Sequence, residues 1–186
     1  NEATRVNPRM TAPGVKLKVQ PILMYSLPTP REAASWKSWG GIQTEPAVTV
    51  EIARITGELE TLGREADFGL EILPVARASS LDQIRALSGK DWDVTLLYAC
   101  TGRGELLQAC LGLQKDNVVF VRHRSGPIYY WYEALSVRQL GTGHAGPRAQ
   151  EDASRARAHV EDVVVDASGE LMWRLRALQG VRNFRG

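Results

Sequence analysis

Short aliphatic runs alternate along the chain with stretches whose apolar residues recur at steps of three and four. The first run, Lys16 to Tyr25 (KLKVQPILMY), has the extended apolar character of a strand, although Pro21 inside it requires an edge-like or bulged position. A loop (LPTPREAASWKSWGGIQTEP) with three prolines, the last of them Pro46 at the start of the next helix, the Gly40-Gly41 pair and two tryptophans follows. Thr44 is then placed to cap a helix whose first turn accepts Glu45 and Pro46. Val48, Ile52, Ile55, Leu59 and Leu62 share one face of that helix, and Gly63 is expected to end it. Leu70 to Val75 (LEILPV) predicts a second strand. Ser79 or Ser80 caps the next helix, with Leu81, Ile84 and Leu87 on one side.

The third run, Asp93 to Tyr98 (DVTLLY), leads through the turn ACTGRG into a helix carrying Leu106, Leu107, Cys110 and Leu111. Asn117 to Val121 (NVVFV) is the fourth strand, followed by an expected helix over Ile128 to Leu140 and a polar connection from Gly141 to Ala158. Glu161 to Val165 (EDVVV) is the fifth. Asp166 or Ser168 caps a closing helix with Leu171, Leu175 and Leu178 on one side and Arg174 on another.

Strands two, three and four begin about 24 residues apart, the length of one strand-helix unit, and their unbroken aliphatic character suits strands covered on both faces. The pattern predicts an α/β fold: a doubly wound, mainly parallel, five-stranded sheet in the flavodoxin-like order 2-1-3-4-5. A closed barrel would need eight such units. Residues 1 to 15, with Pro8, Pro13 and Gly14 among polar neighbours, read as a lead-in, and residues 16 to 186 as one α/β domain. The closing helix reaches almost to Gly186, where a repeating strand-helix chain would place another strand. The expectation is therefore an N-terminal domain cut from a longer protein.

Composition narrows the function classes. At 186 residues, 44% hydrophobic and 24% charged, the chain can form an ordinary globular core. A net charge of +2 with scattered basic residues does not point to nucleic acid. No run approaches the roughly 18 to 20 apolar residues that would cross a bilayer. Cys100 and Cys110 lack ligand spacing and read as free thiols, not a zinc site. The cytoplasm is the expected compartment, with a secreted or periplasmic one left open because the chain begins at Asn1.

In an open parallel sheet of this order, ligands gather beyond the carboxyl ends of strands one and three. The loops there carry Trp36, Trp39, Gly40, Gly41 and Gln43, then Cys100, Thr101, Gly102, Arg103 and Gly104, with Arg122, His123 and Arg124 delivered nearby by strand four. The run TGRGE can offer backbone N–H groups to an anion, assisted by Arg103. It is not a dinucleotide fingerprint, because Leu107 stands where the third glycine belongs and the motif follows the third strand. His123, between two cations that would disfavour its protonation, is expected to serve as a base or to orient a substrate; an ordinary loop histidine fits the spacing as well. Tyr129, Tyr130, Trp131 and Tyr132 can stack on a sugar ring, but on a helix they point in all directions and serve equally as core or interface. No nucleophile triad, paired-carboxylate site or metal motif is present.

Three segments, SWGGIQTE, FVRHRSGPIYYWYEALSVRQL and DVVVDASGELMWRLRALQGVRN, together resemble successive parts of the L-fucose/L-arabinose isomerase-like family, particularly its bacterial sugar isomerases. The resemblance is collinear from about residue 16 onward. It implies a parent enzyme that interconverts aldoses and ketoses, with a divalent ion such as Mn²⁺ holding two sugar oxygens while a carboxylate moves a proton through an enediol. The family's metal ligands and catalytic carboxylate come from later domains, so the resemblance implies no catalytic or metal residue in this chain. It implies instead a homo-oligomer whose N-terminal domain packs subunits and helps to close the sugar site. Trp39, Gln43, Arg103, His123 and Arg124 are the candidate sugar-binding residues. The alternative is a non-enzymatic α/β ligand-binding or regulatory module that shares the fold alone.

Overall fold

The computed structural model describes residues 15–29, 42–122 and 158–185, and within them six parallel strands form one sheet. The aliphatic runs predicted from the sequence supply its centre. β1 (Leu17–Met24) lies beside β4 (Val94–Ala99), registered from Val19 against Val94 to Met24 against Ala99. β5 (Asp116–Val121) pairs with β4, and β6 (Val163–Val165) pairs with β5. On the far side of β1 lie two three-residue strands, β2 (Leu70–Ile72) and β3 (Ala76–Ala78). The order is β2-β1-β4-β5-β6 with β3 also on β1, so the sheet has six strands where five were expected. The difference is a break in the second run. If β2 and β3 are taken as halves of one edge, the remaining succession is the doubly wound one.

Pro21 explains the break. Along β1 the odd-numbered residues face the β2 side: the Leu17 amide donates to the Gly69 carbonyl at 2.9 Å, and the Val19 carbonyl accepts from Leu73 at 2.9 Å. Pro21 therefore turns its missing N–H toward the gap between β2 and β3, where no ladder bond is lost. The buried Gln20 side chain fills the gap, its amide donating to the Pro21 carbonyl at 2.9 Å and to the Pro74 carbonyl at 2.8 Å. Pro21 thus does not take the edge-like or bulged position expected of it: β1 is interior, and its neighbour is interrupted instead.

α1 (Glu45–Glu65) begins where the sequence places it, with Thr44 Oγ1 accepting from the Ala47 amide at 3.3 Å. Its buried face is Val48, Ile55, Leu59 and Leu62, together with Glu51. Gly63 does not end it. A Cβ on Gly63 would meet Ile72 Cδ1 at 3.5 Å, so that glycine lies where the helix passes β2. α2 (Leu81–Arg85) is capped by Ser80, whose Oγ accepts from Gln83 at 3.3 Å. α3 (Gly104–Leu111) buries Leu106, Leu107, Cys110 and Leu111, as its pattern predicts.

The fifth strand is shorter than its sequence suggested. A 3-10 turn occupies Val160–Asp162, with Asp162 Oδ2 accepting from the His159 amide at 2.7 Å, and only three valines remain extended. α4 (Ser168–Arg185) then starts with the Leu171 amide bonded to the Ala167 carbonyl at 3.1 Å. Ala167 thus takes the cap position expected of Asp166 or Ser168, while Asp166 adopts a φ of 57° in the left-handed region. The helix expected over 128–140 and the connection at 141–157 lie outside the described residues.

Right-handed crossovers place the helices. The chain steps from β1 through α1 to β2 in one direction, and through α2 and α3 to β4 and β5 in the other, so α1 lies on one face and α2 and α3 on the other. α4 shares the face of α1: Arg176 donates to Asp67, just past α1, at 3.0 and 2.7 Å. At its far end the Gln179 amide reaches the Val15 carbonyl at 2.6 Å. Among the described residues, no helix is long and apolar enough to cross a membrane.

Candidate functional site

The winding direction reverses between β1 and β4, and their carboxyl ends are tied together by one side chain. Thr101 Oγ1 accepts from the Ser26 amide at 2.8 Å and donates to the Ser26 carbonyl at 3.1 Å. Gly102 follows at φ 145°, and a Cβ there would sit 3.4 Å from Leu106 and 3.6 Å from Met24, so glycine is what lets the chain turn into α3. Ile42 is buried, and its backbone hydrogen-bonds the Cys100 thiol. Burial pushes that thiol up to about 11, and the bonds from Ile42 and Thr101 offset only part of the rise. Cys110 is pushed up to about 12 by burial alone. Neither thiol is a thiolate near neutral pH.

Of the candidate sugar-binding residues, Gln43 and Arg103 fall within the described structure. Both are exposed, and they follow Ile42 and Cys100, which meet at the end of β4. Arg103 occupies the N-cap position of α3 in extended backbone and makes no side-chain capping bond. Trp39, His123 and Arg124 lie outside the described residues.

A second feature was not anticipated. Between α1 and α4, over the carboxyl end of β5, lies an open groove of about 720 Å³ walled by Arg54, Glu58, Phe120, Arg122, Asp166 and Gly169, among others. β5 delivers Arg122 directly after its last residue. A chain of alternating charges runs from the buried Glu51 to Arg54, Glu58 and Arg122 in the groove wall. Glu51, only 2% exposed, accepts from Arg54 Nε at 2.9 Å; Arg54 Nη1 donates to Glu58 at 2.8 Å; and Arg122 pairs with the other oxygen of Glu58. Alternation of sign offsets the desolvation that a buried carboxylate such as Glu51 would otherwise suffer.

Beneath this chain the Tyr98 ring stands 5.5 Å from the Phe120 ring, and the Arg122 guanidinium lies 6.0 Å from Phe120. Burial, reinforced by Glu58, holds the Tyr98 phenol well above its ordinary range. The groove thus offers fixed donors and acceptors beside an aromatic edge, an arrangement suited to holding a small polar molecule with hydroxyl groups. The signal for it was present in the sequence. Glu51, Arg54 and Glu58 recur at helical spacing beside the apolar stripe of α1.

Among the described residues, no group of three or more His, Cys, Asp or Glu side chains could hold a metal ion. The chain matches no protein-family model, no curated protein and no solved structure.

Proposed function

We propose that this chain is the N-terminal domain of a metal-dependent aldose–ketose isomerase of the L-fucose/L-arabinose type, acting in subunit packing and in closing the sugar site. The observation that carries the proposal is the placement of its resembling segments. FVR and DVVVDASGELM, far apart in sequence, become the neighbouring ends of β5 and β6 and the start of α4. They wall one groove together with the stretch of α1 from Ala53 to Glu65, which lies outside the remaining segment, SWGGIQTE.

A sugar presents hydroxyls that need paired donors and acceptors, and Arg54, Glu58, Arg122 and Asp166 offer both, with Phe120 as an apolar floor. The role assigned to these residues is to bind and orient the sugar and to exclude water. The Mn²⁺ or similar ion that the resemblance implies does not fit a donor set among the described residues, and no metal-dependent step is assigned to them. A homo-oligomer in the cytoplasm completes the proposal.

A non-enzymatic ligand-binding or regulatory module is the second reading. It is favoured by the pairing of Glu51 and Glu58 with guanidinium groups, which serves binding better than proton transfer. The first test is a nuclear magnetic resonance titration of the chain with L-fucose and L-arabinose. Shifts confined to the amides of Gly57, Glu58, Ser168 and Gly169 support a groove site, and their absence at saturating sugar removes it.

A further inference from the structure

One residue on the buried face of α1 is hard to explain by stability. The helix turns Val48, Glu51, Ile55, Leu59 and Leu62 into the core, and of these Glu51 alone carries a charge, at 2% exposure. Taking a carboxylate out of water is costly, and a buried ion pair is commonly no more stabilising than apolar residues of the same volume. A glutamate in the apolar stripe therefore has its use in what it holds.

It holds Arg54. Both oxygens of Glu51 accept from one edge of the guanidinium, Oε2 from Nε at 2.9 Å and Oε1 from Nη2, while Glu58 accepts from Nη1 at 2.8 Å. Bonds from two carboxylates to all three nitrogens fix the planar fork in both position and tilt, which a single contact cannot do. Water competes little for the Glu51 side of this clamp, because that carboxylate is buried.

Arg54 stands where a ligand would meet it. Its side chain is 26% exposed and forms part of the groove wall. Burial raises the Tyr98 phenol and the Cys100 thiol, and the positive charge of Arg54 offsets part of the rise at both. Those two residues lie at the carboxyl end of β4, so the guanidinium sits over the strand ends where open parallel sheets collect ligands. A long side chain that is already fixed loses little freedom when a ligand binds, and its donors are aimed beforehand.

We propose that Glu51 is a positioning residue, which holds the Arg54 guanidinium in one orientation so that it can donate to a sugar oxygen in the groove. The identity of the ligand rests on the sugar reading above; the hold on Arg54 does not.

The test uses the whole chain and three forms of it: wild type, Glu51→Met and Glu51→Gln. Magnetic resonance of the arginine side chains reads the hold directly. In wild type the Arg54 Nε–H should exchange with water roughly tenfold more slowly than that of Arg85, whose side chain is 73% exposed. In Glu51→Met the difference disappears, while the melting temperature is equal or higher, because methionine buries without a charge and Arg54 keeps Glu58. Titration with L-fucose and L-arabinose should then show a dissociation constant raised roughly tenfold for Glu51→Met. Glu51→Gln, whose side-chain oxygen can still accept from Nε, should recover part of that loss. A slow Arg54 Nε–H in Glu51→Met would overturn the proposal, as would wild-type affinity in that variant or a loss of binding only in proportion to unfolding. A methionine variant that melts well below wild type would make Glu51 a structural residue and overturn it too. If wild type binds neither sugar, the sugar reading falls, and the Nε–H exchange alone decides whether Glu51 positions Arg54.

Discussion

Thr101 and Ser26 close the carboxyl end of the central strand pair through a single hydroxyl, which accepts from the Ser26 amide at 2.8 Å and donates to the Ser26 carbonyl at 3.1 Å. Thr101 is 9% exposed, so water is poorly placed to replace either bond. Thr101→Val keeps the shape and leaves both Ser26 groups unsatisfied, at a cost of about 1 to 3 kcal/mol. Thr101→Ser keeps the hydroxyl and should cost less than about 1 kcal/mol. Urea unfolding checks both: the midpoint should fall for valine with an unchanged slope.

Gln20 performs a similar task at the other side of β1. Gln20→Leu removes the amide that bridges the Pro21 and Pro74 carbonyls, and should cost about 1 to 2 kcal/mol. The loss is local. Hydrogen exchange at the Leu73 amide, which bonds to Val19 at the edge of the gap, should accelerate more than exchange at Cys100, which bonds to Met24 on the β4 side.

These two sites show what the sequence could and could not convey. The helix caps Thr44 and Ser80 and the aliphatic strands were legible because their signals are local: a side chain meeting an amide three residues on, or an unbroken apolar run. The break in the second strand was not, since it answers a proline fifty-odd residues earlier that becomes its neighbour only in the folded sheet. The groove was legible only in its α1 half, where Glu51, Arg54 and Glu58 recur at helical spacing, and its other half was hidden for the same reason. Arg122 and Glu58 are 64 positions apart, and nothing local pairs them.

The two thiols make stability depend on pH in the alkaline range. Both have folded values raised above the ordinary 9.0, to about 11 for Cys100 and about 12 for Cys110. Their contribution is fully present below pH 9 and is lost as pH rises from 9 through 11 and on to 12, because the unfolded chain releases these protons first. Replacing either cysteine by alanine should flatten that decline. At pH 8, a thiol reagent should label neither in the native protein and both in urea.

The Arg122–Glu58 pair joins β5 to α1 with the arginine side chain 10% and the glutamate 45% exposed. Solvent at Glu58 reduces the coupling, so a double-mutant cycle with Arg122→Met and Glu58→Gln should give about 1 kcal/mol rather than the several expected of a wholly buried pair.

The central claim is tested most directly by ketose formation. The complete polypeptide encoded by the gene, purified with Mn²⁺ and given L-fucose, L-arabinose and related aldoses, is predicted to convert at least one of them, while the 186-residue chain alone converts none. Glu58→Gln in the complete polypeptide should raise KM more than it lowers kcat, as befits a residue that binds sugar and moves no proton. Absence of ketose from every aldose tested with the complete polypeptide, or turnover by the 186-residue chain alone, would contradict the account.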